Sequence, residues 1–286
     1  MNAVLEVLAV GGLATVQDLG RHGYAHLGVP PSGALDRPSL RLANRLVGND
    51  EGAAAIEILL GGARLRAHTS MWVAVTGAPC GAAMGTPVQL RDGKTLNIGP
   101  ATEGVATYLA VRGGVDIAPV LGSRSTDLLS GIGALLAAGD HLPIGPQTSY
   151  RAMPVDVAPL EPIDSEPILA MRLGPRDDRF TAKALATLTS STYSVTPVSN
   201  RVGLRLEGSP LERRDDTELA PEAMVTGSIQ VPPDGQPILF LPDHPTTGGY
   251  PVIAVVVDAD LRKAGQARPG STIRFRLAAR ATATHQ

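Results

Sequence analysis

Short runs of alternating apolar and polar residues, each cut off by glycine or proline, commit this chain to β-structure. Ala55-Ile56-Glu57-Ile58-Leu59, Ala63-Arg64-Leu65-Arg66-Ala67 and Met71-Trp72-Val73-Ala74-Val75 share a period of two. Tyr108-Leu109-Ala110-Val111 continues the series. Val88 to Arg91 and Lys94 to Ile98, joined by Asp92-Gly93, read as a tight hairpin. The second half repeats the plan with predicted strands at 168–173, 193–198, 202–206, 228–231, 238–241, 252–257 and 272–277. Each half holds one clear helical pattern. Asp36 to Gly48 has apolar residues at Leu40, Ala43, Leu46 and Val47, with Asp36 as N-cap and Gly48 as stop. Residues 178–189 carry Phe180, Ala184, Leu185 and Leu188 at the same spacing. Strands this short, at this spacing, suit a barrel or sandwich rather than βαβ units. The expected fold is therefore mainly β with a few helices.

A Pro-rich stretch with little periodicity, holding Pro154, Pro159, Pro162 and Pro167, separates the halves. The expected organisation is a first domain over 1–150, a linker over 151–167 and a second domain over 168–286. A net charge of −2 leaves no basic surplus for a phosphate backbone. Three Phe, five Tyr and one Trp supply few rings for stacking bases, so no nucleic-acid partner is expected. The lone cysteine, Cys80, excludes an intrachain disulfide and reads as a small buried hydrophobe. Residues 1–16 carry Glu6 and no basic leader. The longest plausible apolar helix, Leu128 to Ala138, is far short of the roughly 20 residues of a membrane span. A cytoplasmic protein with no membrane partner is expected.

Several familiar motifs fail on inspection. Gly93-Lys94-Thr95 ends like a phosphate-binding loop, but Val88 stands where the first glycine belongs. Ser123 and Ser125 lie in Gly-Ser-Arg-Ser-Thr, which is no nucleophile elbow. His22 and His26 have the spacing of a metal pair, but Gly23 interrupts them and no acid completes a set, so no metal is expected.

Denser motifs carry a resemblance. They include Val16-Gln17-Asp18-Leu19-Gly20-Arg21, Gly28-Val29-Pro30, Ser32-Gly33-Ala34-Leu35-Asp36 and Ala43-Asn44 with Val47-Gly48-Asn49. Val75-Thr76-Gly77-Ala78 and Gly122-Ser123-Arg124-Ser125-Thr126 follow. The second half adds Ser199-Asn200-Arg201-Val202-Gly203, Gly227-Ser228-Ile229-Gln230-Val231-Pro232 and Asp243-His244-Pro245-Thr246-Thr247-Gly248-Gly249-Tyr250-Pro251. This ordered set, spanning nearly the whole chain, resembles the family of the 5-oxoprolinase C subunit, allophanate hydrolase subunit 2 and the carboxyltransferase domain of urea carboxylase. The resemblance implies two tandem cyclophilin-like β-barrel domains. Many members carry an arginine at the position of Ala134, in Ser130-Gly131-Ile132-Gly133-Ala134, which this chain lacks.

The ligands implied by the resemblance (biotin's ureido ring, urea and the lactam of 5-oxoproline) all present N–H beside C=O. Such a group needs an acceptor for the N–H and a donor for the oxygen. Gln230 offers both in one side chain. Asp243 offers an acceptor or base, and Tyr250 a donor or ring wall. Thr246, Thr247, Gly248 and Gly249 offer hydroxyl and backbone donors for an oxyanion or carboxylate. These residues form one expected site, with Asp243, Gln230 and Tyr250 as its catalytic members. Gln230 serves equally well as a structural amide. Asn200 and Arg201 stand as substrate-binding candidates, with Arg201 either clamping an anion or pairing with Glu207. Asp18, Arg21, Ser32 and Asp36 are polar and loop-borne, suited to a ligand or subunit contact or to folding their own loop.

The resemblance implies a hydrolase subunit of an ATP-dependent 5-oxoprolinase, inactive alone. Its partners would be a B-like subunit (allophanate hydrolase subunit 1-like) and an A-like subunit. ATP would bind at the level of the complex. The alternatives are biotin-dependent carboxyl transfer to urea or a similar amide, with biotin on another chain, and a regulatory module acting on a kinase inhibitor.

Overall fold

The alternating runs form strands where the spacing places them. The computed structural model describes residues 3–146, 156–215, 217 and 219–279. The chain divides into two units, Met1–Ser165 and Glu166–Gln286. Residues 151–155 of the expected linker lie outside the described residues. Its continuation follows the first unit, where Ala158 N donates to Gly85 O at 2.8 Å.

The first unit contains β1 (Ala3–Ala9), β2 (Leu13–Gln17), α1 (Arg37–Leu46), β3 (Ala55–Leu59), β4 (Gly61–Ala67) and β5 (Met71–Gly77). It continues with β6 (Pro87–Leu90), β7 (Thr95–Pro100), β8 (Ala106–Val111) and β9 (His141–Ile144). One sheet runs β7-β4-β1-β9 and the other β2-β3-β8-β5-β6. Their inner faces share one core, with Leu5, Val7, Leu65 and Ile98 from the first sheet and Ile56, Val73, Leu109 and Val111 from the second. Burying these faces supplies the main stabilisation, about 1.5–3 kcal/mol for each fully buried aliphatic side chain.

Asp36 caps α1 as expected, its carboxylate accepting from Ser39 N at 3.0 Å. Gly48 adopts φ 75° just past the helix, a conformation glycine takes without steric cost. The helix covers the outer face of β5 and β8, where Ser39 O accepts from Thr76 Oγ1 at 2.7 Å. Every residue of β8 is consequently buried.

Three local expectations are corrected. Strands 88–91 and 94–98 do not pair with each other. The Asp92-Gly93 turn forms, with Lys94 N donating to Arg91 O at 3.0 Å. However, β6 pairs with β5 and β7 with β4, so the chain changes sheets at the turn. The buried apolar faces decided the pairing, whereas the turn residues decide only the bend. Residues 128–138 form no helix, because Gly131 and Gly133 take φ of 68° and 75° and Asp127 bridges Ile132. Leu128, Leu129 and Leu135 are exposed there. The second-half helix begins at Ala182 rather than at residue 178, where Thr181 accepts from Ala184 N and fixes the start.

The second unit is a closed barrel. Its strands are β10 (Ile168–Leu173), β11 (Thr192–Val195), β12 (Gly203–Glu207), β14 (Ser228–Gln230), β15 (Ile238–Phe240), β17 (Val252–Val256) and β18 (Thr272–Leu277). They close in the order β10-β17-β14-β15-β12-β11-β18, which leaves no sheet edge. A small ribbon of β13 (Glu222–Ala223) and β16 (Thr247–Gly248) stands apart from the barrel. The helices are α2 (Ala182–Ser190) and α3 (Asp258–Gly265). No sequence pattern announces α3, whose eight residues include Asp258, Asp260, Arg262 and Lys263 and show no apolar stripe. Among the described residues no helix is long and apolar enough to cross a membrane.

Two buried tyrosines make the fold less stable at alkaline pH. The Tyr108 phenol donates to Glu57 Oε2 at 2.7 Å and accepts from Asp36 N at 2.8 Å. Burial first, then the Glu57 charge, pushes its pKa well above that of free tyrosine. Burial raises Tyr193 from 10.0 to about 12. Unfolded tyrosines lose their protons near pH 10 while these keep theirs. Above that pH the unfolded state therefore binds fewer protons, and stability falls. Urea unfolding should give a constant stability from these groups below pH 10 and a decline between pH 10 and about 12. Tyr193→Phe should make that decline shallower.

Candidate functional site

The loop that follows β15 leaves the barrel at Leu241 and returns at Pro251, and it carries most of the expected site. Its first half is fixed from below. Arg201 and Asp243 form a bidentate pair, Nε to Oδ2 at 2.8 Å and Nη2 to Oδ1 at 3.0 Å. Their side chains are 4% and 2% exposed, so the pair is shielded from solvent. Asp243 N also donates to Arg201 O at 3.2 Å. Asp243 thus meets a guanidinium with both oxygens, and Arg201 pairs with Asp243 rather than with Glu207. Next to it, His244 is buried and its Nδ1 donates to Pro245 O at 2.8 Å.

The second half of the loop is exposed. Thr247, Gly249 and Tyr250 face solvent, and Thr246 and Gly248 are half-buried. The β13–β16 ribbon holds this part, pairing Glu222 with Gly248 and Ala223 with Thr247. Met224 N donates to Thr246 O at 2.9 Å. Arg176 grips Glu222 through Nε at 2.8 Å, and its hydrogen bonds hold the Glu222 carboxyl below the usual range.

Gln230 lies under this loop at the end of β14, buried between β15 and β17. Its Nε2 donates to Tyr250 O at 2.9 Å and lies 4.0 Å from Met224 Sδ. A carbonyl can only accept, so the nitrogen must face Tyr250 and the orientation of the amide is fixed. Oε1 accepts no hydrogen bond among the described residues and is the open acceptor of the side chain. Gly248 closes over the amide: a Cβ there would stand 2.5 Å from Gln230 Nε2. The structure therefore brings Gln230, Gly248 and the Tyr250 carbonyl together, with Thr246, Thr247 and Gly249 in the same loop.

The remaining candidates have other neighbours. Asn200 folds its own turn, with Oδ1 accepting from Val202 N at 2.9 Å. In the first unit Asp18 accepts from Ser123 Oγ and Ser125 Oγ at 2.6 Å, from Arg124 N at 2.7 Å and from Gly20 N at 2.8 Å. Arg21 is buried and donates to the carbonyls of Val120 and Ser125. Ser32 Oγ donates to Thr126 O at 3.0 Å. Asp18, Arg21 and Ser32 thus bind loop 18–33 to loop 120–126, and Asp36 caps α1. The close approach of Gly20 to Gly33 permits this fold, because a Cβ on Gly33 would meet Gly20 N at 2.8 Å. His22 is exposed, and His26 Nδ1 donates to Gly23 O at 3.1 Å. Cys80 is buried beside Met84, and burial pushes its thiol up, away from reactivity. A hollow of 560 Å³ in the second unit is lined by Lys183, Thr187, Leu211, Arg213 and Asp234. It contains none of the candidate site residues.

The model of the carboxyltransferase domain, subdomains A and B, matches residues 27–277. The chain is 40% identical to the 5-oxoprolinase C subunit of Escherichia coli (strain K12), covering 95% of this chain and 90% of that protein. It is 36% identical to urea amidolyase of Lachancea kluyveri, covering 94% of this chain but 17% of that protein. The crystal structure of TTHA0988 superposes with a TM-score of 0.88 at 37% identity, covering 96% of this chain and 56% of that one. The Kluyveromyces lactis urea carboxylase superposes with the same TM-score at 32% identity, where this chain spans 28% of its length.

Proposed function

The chain belongs to the carboxyltransferase domain A and B family, and on that premise we propose that it is the C subunit of a 5-oxoprolinase. It works in a complex with B-like and A-like subunits to open the lactam of 5-oxoproline to glutamate, driven by ATP. The observation that carries this reading is the 40% identity to a 5-oxoprolinase C subunit, sustained over 95% of this chain and 90% of that protein.

The loop over β14 fits the chemistry. The lactam presents N–H and C=O on one planar edge. Gln230 Oε1 accepts from the N–H, because its amide nitrogen is already held by Tyr250 O. Thr246 and Thr247 hydroxyls and the Gly249 backbone N–H offer donors toward the oxygen, where negative charge develops as the ring opens. Tyr250, 45% exposed, walls one side and helps exclude water. Asp243 positions the loop through Arg201 and does not face the ligand.

ATP would supply activation of the lactam oxygen by phosphorylation. Among the described residues the helix N-termini do not fit it. The N-termini of α1 and α2 are closed by Asp36 and Thr181, and the first turn of α3 carries Asp258 and Asp260, which repel phosphate. Gly93-Lys94-Thr95 lies at a turn between two strands rather than at a helix N-terminus. The nucleotide would be held at the level of the complex, where this chain's part is to bind and orient the amide.

The urea amidolyase relatives favour a second reading, biotin-dependent carboxyl transfer to a urea-like acceptor. The only lysines are Lys94, Lys183 and Lys263, none flanked by methionines, so biotin would arrive on another chain. Reconstitution separates the readings. The chain alone should release no glutamate from 5-oxoproline, and the three-subunit complex should do so with ATP hydrolysis. Turnover only with urea and a biotinylated carrier would replace the first reading by the second.

A further inference from the structure

We propose that Glu6, His68 and His141 form a binding site for one zinc-class divalent ion on the outer face of the four-stranded sheet. The site lies in the first unit and does not depend on the reading of the second.

Its three residues come from neighbouring strands. Glu6 is in the middle of β1, between Leu5 and Val7, whose side chains enter the core. Strand alternation therefore turns Glu6 outward. His141 opens β9 directly opposite Glu6 in the antiparallel register. On the other side His68 follows β4, and its N–H donates to Val4 O at 3.0 Å. Ala67 and Leu142, the adjacent residues, are buried, so both imidazoles also face outward. One ligand atom from each of the three lies within 4.8 Å of the other two. His68 Nε2 is 2.8 Å from Glu6 Oε2, and the two rings stand 5.6 Å apart, tilted by 33°.

This donor set is the one zinc uses: two imidazoles, one carboxylate and a fourth place for water. A tetrahedral ion with bonds of about 2.0–2.2 Å needs ligand atoms about 3.3 Å apart. Small side-chain rotations bring the three from their present separations to that value. His141 has one ring nitrogen held by the backbone. Its Nδ1 donates to Gly139 O at 2.9 Å, which leaves the lone pair on Nε2. A backbone carbonyl holding the second nitrogen is the usual outer support of a metal-bound histidine. Arg66 Nη1, 3.6 Å from Glu6 Oε2, is about half exposed and can turn into solvent as the ion enters. The ion would tie β9 to β1 and β4, and so stabilise an edge of the sheet.

The test uses the full chain without a polyhistidine tag, titrated with Co(II) as a spectroscopic stand-in and with Zn(II) by calorimetry. The expected result is one equivalent per chain, with visible bands of four-coordinate Co(II) and a Kd tighter than about 10 µM. His68→Ala and His141→Ala should each abolish the bands, and Glu6→Gln should weaken binding at least about tenfold. His68 and His141 are exposed and Glu6 is partly buried, and unfolding curves of the metal-free variants report that the fold is kept. The proposal is overturned by the absence of saturable binding, or by binding that survives both histidine substitutions.

Discussion

Arg201→Ala should destabilise the second unit by about 3–5 kcal/mol, the usual consequence of removing one member of a buried ion pair. The Asp243 carboxylate, 2% exposed in the intact pair, would lose its bidentate guanidinium. Because Asp243 N also donates to Arg201 O, the loop from Leu241 to Pro251 should loosen as well. Replacing both residues with apolar ones of similar size, Arg201→Met with Asp243→Leu, should recover more than half of the loss, since no charge is then left in the interior. Equilibrium unfolding in urea measures both values. A single-variant loss below about 1 kcal/mol would mean that the pair is solvated in solution.

The second large effect concerns catalysis. Gln230→Leu removes the open acceptor and should lower kcat/KM for 5-oxoproline in the reconstituted complex by about 10–100-fold, the equivalent of about 1.5–3 kcal/mol. Gly248→Ala reaches the same point by another route. Its Cβ would stand 2.5 Å from Gln230 Nε2 and push the amide off Tyr250 O. The obstructing atom is the far end of a flexible side chain, so the chain should still fold and assemble with its partners. Unchanged turnover in both variants would remove Gln230 from the site.

Much of the fold was legible because one face of each sheet is buried. The period-two runs from Ala55 to Val111 announce strands, and Asp36 and Gly48 bracket α1 by cap chemistry that depends on neighbours a few residues away. What depends on distant neighbours was not legible. The Asp92-Gly93 turn looks the same whether its flanking strands pair or enter different sheets. The eight residues of α3 carry too few apolar side chains to show a stripe. The same division runs through the candidate site. The loop from Thr246 to Tyr250 is visible as polar, glycine-rich sequence carried by the family resemblance. That Asp243 answers Arg201, 42 residues away, is a tertiary fact with no local signal. Glu6, His68 and His141 are further apart still, and only the strand order β4-β1-β9 makes them neighbours. The local pair His22 and His26 has metal spacing but gathers no third ligand among the described residues.

The claim that a planar amide binds over β14 is tested most directly by hydrogen exchange on the assembled complex, with and without 5-oxoproline. Added substrate is expected to slow exchange at the amides of 246–250 and at the adjoining residues of β14. Protection around Lys183, Leu211 and Asp234, with none in the 246–250 loop, would contradict it.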